Sequence, residues 1–313
     1  MSYKNIPQIS LKNIQSHDPQ TQKNEIDLLA NGLARFGVLG IKDTSLDKKL
    51  LATVNSQVKK FFSFPIDQKC MYLNQTLSET PRGYFYFSAT PPNVNDVGFK
   101  EAYHIGRPYH CESPTHIPNI WPEELPKLEQ DACALFNQLE NISDIFLSAV
   151  SMYFGEDPNY IQQLTKNGDC LFRILNYPEL PKNIQHPYLR TGIHEDLSVI
   201  TIMPKSELAG LEYFGPYGDW LKAEEIEGEV LISAGEFLTR MSNDFFKCPS
   251  HRVVSSPKIT SSRVTMPMFI IPRLDAPIKI FPKAIEMANN IAKYPEIDTL
   301  DYLKLRVPEL PRY

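Results

Sequence analysis

The chain has 313 residues, 42% of them hydrophobic and 22% charged, with 14 Gly and 26 Pro, a globular composition that excludes disordered, collagenous and fibrous classes. Asp and Glu outnumber Lys and Arg by 37 to 32, for a net charge of −5, and no stretch collects five or more like charges, which argues against nucleic acid as a partner. No apolar run approaches the ~18 residues of a membrane span, residues Met1 to Pro7 have no secretory core, and the five cysteines are scattered without C-x-x-C spacing; the expectation is a cytoplasmic chain with reduced thiols, no membrane partner, no disulfide framework and no zinc ribbon.

Ile26, Leu29, Leu33 and Phe36 recur at helical spacing and run into Phe36-Gly-Val-Leu-Gly-Ile41, which predicts a helix feeding a strand. A second apolar stripe, Leu46, Leu50, Val54, Val58, Phe61 and Phe62, is stopped by Pro65. Residues 80–122 hold seven prolines among many aromatics and read as loop. Leu125, Leu128, Ala132, Leu135, Leu139, Ile142, Phe146, Ala149 and Tyr153 step by three or four, predicting one long amphipathic helix of roughly eight turns. Beyond residue 168 the period changes to two. Short runs at Cys170–Leu175, Ser198–Met203, Leu211–Phe214, Gly228–Ser233, His251–Val254 and Arg263–Ile271 are separated by Gly, Pro, Asp and Ser turns, the pattern of a sandwich or jelly roll with helices ahead of it. A short helical tail follows through Ala284–Ala288 and Tyr302–Leu305. The expected division is an N-terminal helical and loop extension over 1–120, then 121–313 with the long helix, a β core at about 168–272 and the tail, all in one structural unit.

Of the seven histidines only His194 and His110 have a carboxylate two positions later, Asp196 and Glu112. His110 sits among Pro108, Pro114 and Pro118, where no regular strand forms, whereas His194 opens an apolar alternating segment. In an extended strand the side chains at 194 and 196 share a face, so both can meet one metal. A third ligand has to come from a distant element, and the best candidate is His251, 55 residues beyond Asp196 at the start of His251-Arg-Val-Val. Two imidazoles and one carboxylate leave three open positions on an octahedral Fe(II), and the single positive charge left on the metal suits a dianionic chelator. Arg263 and Thr265 share one face of the last strand while Val264, Met266 and Met268 take the other. An inward arginine needs an anion, because a buried unpaired charge is costly; a carboxylate held by the guanidinium fork and the hydroxyl would supply one.

On these residues the chain resembles the isopenicillin N synthase-like branch of the Fe(II)/2-oxoglutarate dioxygenases. The resemblance is carried by Arg173-Ile-Leu-Asn-Tyr177-Pro, Gly192-Ile-His194-Glu-Asp196, Gly210-Leu-Glu-Tyr-Phe, Met241-Ser-Asn243, Cys248-Pro-Ser-His251-Arg-Val-Val and Ser262-Arg263-Val-Thr265, with Leu33-Ala-Arg-Phe-Gly-Val-Leu, Phe61-Phe-Ser-Phe-Pro and Lys100-Glu101-Ala-Tyr in the N-terminal half. It implies a double-stranded β-helix holding iron by His194, Asp196 and His251. It further implies that 2-oxoglutarate chelates the iron, with Arg263 and Thr265 taking its C5 carboxylate and Tyr177 nearby, and that O2 is the oxidant, with ascorbate as an accessory reductant. The usual Arg-x-Ser is here Arg-x-Thr, and Leu175 stands where plant members carry Asn. Hydroxylation of a small organic metabolite, with release of succinate and CO2, is the default outcome, desaturation and ring closure sharing its first step. The alternatives are an Fe(II) oxidase that dispenses with the keto acid and a non-catalytic metal-binding β-helix protein.

Candidates for substrate contact are Arg82, Tyr84, Tyr86, Phe87, Tyr103, His104, Phe214, Arg240 and Phe269, because aromatics give apolar area and Arg or His can hold an anion. Glu101 reads as a structural acceptor. His104, His110 and His116, six apart, fall on no common helix or strand face. Nothing in the sequence sets the oligomeric state, and a monomer is compatible with it.

Overall fold

The computed structural model describes residues 6–73, 82–86, 100–108, 117–180, 187–205, 209–256 and 261–307; Phe87, His110, Cys111 and His116 lie outside them. The helices are α1 (Leu11–Ile14), α2 (Pro19–Phe36), α3 (Lys48–Phe62), α4 (Ile66–Cys70), α5 (Leu128–Tyr153), α6 (Tyr160–Thr165), α7 (Glu236–Met241), α8 (Pro282–Met287) and α9 (Thr299–Arg306). The strands are β1 (Gln8–Ser10), β2 (Val38–Lys42), β3 (Gly83–Tyr86), β4 (Glu101–Ile105), β5 (Leu171–Tyr177), β6 (Tyr188–His194), β7 (Ile200–Pro204), β8 (Leu211–Phe214), β9 (Trp220–Lys222), β10 (Val230–Ala234), β11 (His251–Ser255), β12 (Arg263–Thr265), β13 (Met268–Ile270), β14 (Pro277–Ile278) and β15 (Ile297–Asp298).

Local chemistry sets the ends of the first helices. Asp18 accepts from the Thr21 N–H ahead of Pro19, and α2 stops at Gly37, whose φ of 70° few side chains tolerate. Asp47 caps α3 in the same way through the N–H groups of Lys49 and Leu50. The apolar faces of α2 and α3 pack on α5, whose Leu135, Phe136, Leu139, Ile142 and Phe146 are completely or almost completely buried. By the ~25 cal/mol per Å² scale each such side chain contributes about 1.5–3 kcal/mol.

The larger sheet runs β1-β2-β10-β7-β13-β5-β4-β3, with β12 also paired to β5; the smaller runs β6-β11-β8-β9. One cavity is lined from both sheets, by β5, β7, β12 and β13 on one side and β6, β8 and β11 on the other. The outer face of the larger sheet, with Phe172, Ile174, Ile200, Ile202 and Ile232, merges with the helical core. Two facing, mostly antiparallel sheets of this connectivity, backed by helices, make a double-stranded β-helix, or jelly roll. Among the described residues no helix is long and apolar enough to cross a membrane.

The structure departs from the sequence pattern in three places. The proline-rich stretch 80–122 is not all loop: β3 and β4 pair with each other and β4 with β5, because Gly83-Tyr-Phe-Tyr and Glu101-Ala-Tyr-His-Ile contain no proline and can use every N–H. Arg263–Ile271 is two strands, β12 and β13, since Pro267 cannot donate to a ladder. The alternation nonetheless survives the break, with Val264, Met266, Met268 and Ile270 in the helix-backed core. His194 closes β6 rather than opening a strand, and Asp196 follows outside it.

Gly40 marks the tightest approach of β2 to its surroundings: a Cβ there would sit 1.7 Å from the Glu227 carbonyl oxygen. Gly40→Ala is expected to destabilise the protein by about 1–3 kcal/mol, the usual cost of overpacking. Urea unfolding would measure it, and an unchanged midpoint would contradict the packing described.

Candidate functional site

His194 and His251 are direct partners across the antiparallel β6–β11 pair, and the ladder is irregular just beyond His251. Their ring centroids are 4.1 Å apart. Asp196, buried behind them, places Oδ1 3.8 Å from His194 Nε2 and 3.6 Å from His251 Nε2, and one ligand atom from each residue lies within 4.8 Å of the others. Each imidazole turns its Nδ1 to a backbone carbonyl, His194 to Gly192 at 2.9 Å and His251 to Pro249 at 3.2 Å. A ring nitrogen facing a carbonyl carries the proton, which leaves both Nε2 atoms as lone pairs aimed at the carboxylate. Thr201 fixes that carboxylate from the other side by donating to Oδ2 at 2.7 Å. Burial, and next the neighbouring His251 ring, hold His194 below the usual imidazole range, so it stays in the neutral, ligating form. Three acceptors converging with no proton among them is an arrangement a divalent cation completes. The donor set of two imidazoles and one carboxylate fits Fe(II).

The cavity beside these residues measures about 70 Å³. Alternation along β5 and β12–β13 turns Arg173, Leu175 and Tyr177 and, across from them, Arg263, Thr265 and Phe269 into it. Arg263 pairs in register with Tyr177 and Thr265 with Leu175. The Arg263 guanidinium lies 4.8 Å from the Tyr177 ring centroid and donates to the Ala209 carbonyl; the Tyr177 hydroxyl is 3.2 Å from Thr191 Oγ1. A planar fork beside a buried hydroxyl can grip a carboxylate.

Of the other sequence candidates among the described residues, only Phe269 lines the cavity. Tyr84 and Tyr103 are core residues packed around Phe61, the former donating to Glu101 at 2.6 Å. Glu101 also pairs with Lys69 at 2.6 Å and accepts from Asn176 at 2.8 Å. Arg82 is buried in an ion pair with Asp169 at 3.2 Å. His104 lies behind the cavity wall, accepting from Arg173 Nε at 3.1 Å. Phe214 is exposed against Trp220, and Arg240 stacks on Tyr294 and Tyr302 while donating to the Pro295 carbonyl. Arg82, Tyr84, Tyr103, Phe214 and Arg240 thus have their aromatic or hydrogen-bonding partners away from this cavity and are not among its lining residues. Of Tyr86 only the backbone is described.

Lys100, Arg173 and Thr201 also line the cavity, and Arg190 packs against Tyr177 of its wall. Arg173 shares the face of Tyr177 by the period of two, a signal that Arg173-Ile-Leu-Asn-Tyr does carry. Arg190 is completely buried, with its guanidinium carbon 5.4 Å from the Tyr177 ring centroid; burial first, and then Arg263, lowers it to about 10. Nothing local in Tyr188-Leu-Arg-Thr announces this.

Lys100 lines the cavity and donates to Thr191 Oγ1 at 3.1 Å. Burial, and next the Arg173 charge, lower its ammonium from 10.5 to about 8. The folded protein therefore binds fewer protons than the unfolded chain between these values, and the metal-free protein gains stability as pH rises through that window; below about 8 the penalty is fully present. Lys100→Met should raise the melting temperature of the metal-free protein at neutral pH and lose that advantage as pH climbs towards 10.5. Parallel pH curves for the two proteins would show the ammonium to be solvated.

The profile described as the 2OG-Fe(II) oxygenase superfamily matches residues 168–272, and that described as the non-haem dioxygenase in morphine synthesis N-terminal matches residues 6–124. The chain is 26% identical over 281 residues to the 2-oxoglutarate-Fe(II) type oxidoreductase hxnY of Emericella nidulans, covering 86% of this chain and 79% of that protein. It is 25% identical over 331 residues to kihadalactone A synthase LFS of Citrus sinensis, covering 97% and 93%. The crystal structure of a full-length Neurospora crassa protein in complex with alpha-KG and thymine superposes with a TM-score of 0.85 at 26% identity, covering 97% of this chain and 96% of that one. That of a 2OG-Fe(II) oxygenase family protein from Caulobacter crescentus superposes with a TM-score of 0.84, also at 26% identity, covering 97% and 98%.

Proposed function

The chain belongs to the Fe(II)/2-oxoglutarate dioxygenase family, and from that premise we propose that it oxidises a C–H bond of a small organic metabolite, with hydroxylation as the outcome, using His194, Asp196 and His251 as the iron ligands. The enzyme is a 2-oxoglutarate-dependent dioxygenase and depends on Fe(II), 2-oxoglutarate and O2. The observation that carries the assignment of ligands is the convergence of two Nε2 lone pairs on one carboxylate, with every other polar atom of the three side chains turned to a protein partner.

When bound, iron with the keto acid and dioxygen supplies the oxidising power, which no side chain possesses. The residues do the rest. Neutral His194 and His251 present fixed lone pairs, because their Nδ1–H groups are held by carbonyls. Asp196 contributes the negative charge, oriented by the Thr201 hydroxyl. Arg263 and Thr265 take the distal carboxylate of 2-oxoglutarate, with Tyr177 beneath the guanidinium. Leu175, Met203, Leu211 and Val253 line the cavity and limit water around the reacting groups.

Incubating the Fe(II)-loaded protein with 2-oxoglutarate labelled at C1 and a metabolite mixture tests this reading. Labelled CO2 and unlabelled succinate should appear in equal amounts and depend on the mixture. Oxygen consumption without CO2 release would favour the keto-acid-independent oxidase instead.

A further inference from the structure

We infer that the primary substrate is an organic carboxylate, held by the Arg173 guanidinium with Lys100 beside it, at the opposite end of the cavity from the Arg263–Thr265 grip. The inference rests on the function proposed above and names the substrate class of that site.

Arg173 projects from β5 into the cavity and keeps part of its surface open there. Its Nε donates to His104 Nε2 at 3.1 Å, and its guanidinium carbon lies 5.1 Å from the Phe269 ring centroid. Neither contact supplies a counter-charge. Burial keeps the His104 imidazole well below its usual range and therefore neutral, and a ring face offers only a quadrupole. Among the described residues Arg173 forms no ion pair with Asp or Glu. Asp196 attracts it from a distance, but that carboxylate is committed to the metal. Lys100 lines the same wall and works electrostatically against Arg173. An arginine that meets no carboxylate in a confined cavity is a costly arrangement unless an anion joins it.

The keto acid does not fill that role. Arg263 stands opposite Tyr177, and Arg173 is four residues back along β5, roughly 13 Å between main-chain positions at a strand's rise per residue. A five-carbon diacid reaches only about 5 Å between its end carbons. Charge balance agrees. Iron with a single carboxylate ligand keeps one positive charge, which together with Arg263 answers the dianionic keto acid, so Arg173 still faces the cavity. A carboxylate on its guanidinium places the apolar body of the molecule against Phe269, near the His194 side of the metal ligands, since Lys100 holds Thr191 of the same strand.

The test uses Zn(II) in place of iron and N-oxalylglycine in place of the keto acid, so that ligands bind without turnover, and reads thermal stabilisation by benzoate, phenylacetate, cinnamate and hexanoate, each against its primary amide. At least one acid should bind about tenfold or more tightly than its amide, the size expected for hydrogen bonds to a charged group. Arg173→Gln should abolish that preference and Arg173→Lys should keep part of it, while both variants still respond to Zn(II) and N-oxalylglycine, which shows that they fold. Amides binding as well as acids, no acid binding at all, or a preference that survives in Arg173→Gln would each overturn the inference. Failure of the parent protein to respond to N-oxalylglycine would strike the cosubstrate reading instead, and the acid–amide comparison is then scored on the protein with Zn(II) alone.

Discussion

Asp196→Ala should leave the protein folded but unable to retain iron, with turnover of 2-oxoglutarate lost. The variant keeps two neutral imidazoles and deletes the only anion of the cluster, the atom 3.8 and 3.6 Å from their Nε2 nitrogens. Removing an outer partner of a metal ligand costs about 10–100-fold in affinity, and removing a charged ligand itself should exceed the upper figure. Iron content after desalting and a metal titration followed by thermal stabilisation measure the loss. Wild-type affinity in the variant would refute the proposed ligand set. A milder change isolates the support: Thr201 donates to Oδ2 at 2.7 Å, so its valine variant should fall within the outer-partner range.

Arg263→Gln should weaken the cosubstrate selectively. The guanidinium is buried beside Tyr177, and truncating one member of a buried, hydrogen-bonded charge pair costs about 3–5 kcal/mol, which corresponds to a rise of roughly 10²–10⁴-fold in KM for 2-oxoglutarate. Iron affinity should be unaffected, and kcat should recover in part at saturating keto acid. Arg263→Lys keeps the charge but loses the planar fork, and should fall between the two. An equal loss of iron and keto acid in Arg263→Gln would point to collapse of the cavity rather than to the loss of one grip.

How legible this arrangement is from sequence depends on the range over which each feature is determined. Period-two and helical patterns are local, so the long helix and the strand-rich second half can be read directly; the faces of Arg263, Thr265 and Tyr177 follow from the same alternation. The pairing of His251 with His194 is long-range and invisible in either segment, although the scarcity of histidines with a nearby carboxylate narrows the choice. The aromatic candidates mislead for a physical reason: Tyr84 and Tyr103 offer apolar area equally to a cavity and to a core, and Phe61 supplies the core. Strands β3 and β4 are obscured by prolines that flank rather than interrupt them. Arg173 and Lys100 lack the carboxylate spacing that draws attention to His194, and the scarcity of acids around Arg173 is no signal in a sequence, since partners are a property of the folded state.

The segment from Arg263 to Ile270 has a consequence for how this chain can be altered. Its odd positions look into the cavity and its even ones into the helix-backed core, with Pro267 interrupting hydrogen bonding but not this rule. The length of the segment is therefore locked to a parity. With Met268–Ile270 held in place, insertion or deletion of one residue between Thr265 and Met268 would hand the guanidinium to the oily interior and thrust Val264 at the metal side, whereas a change of two residues conserves the handover. Tolerance to indels here should alternate rather than decay smoothly, a saw-tooth that a library of stepwise insertions would display.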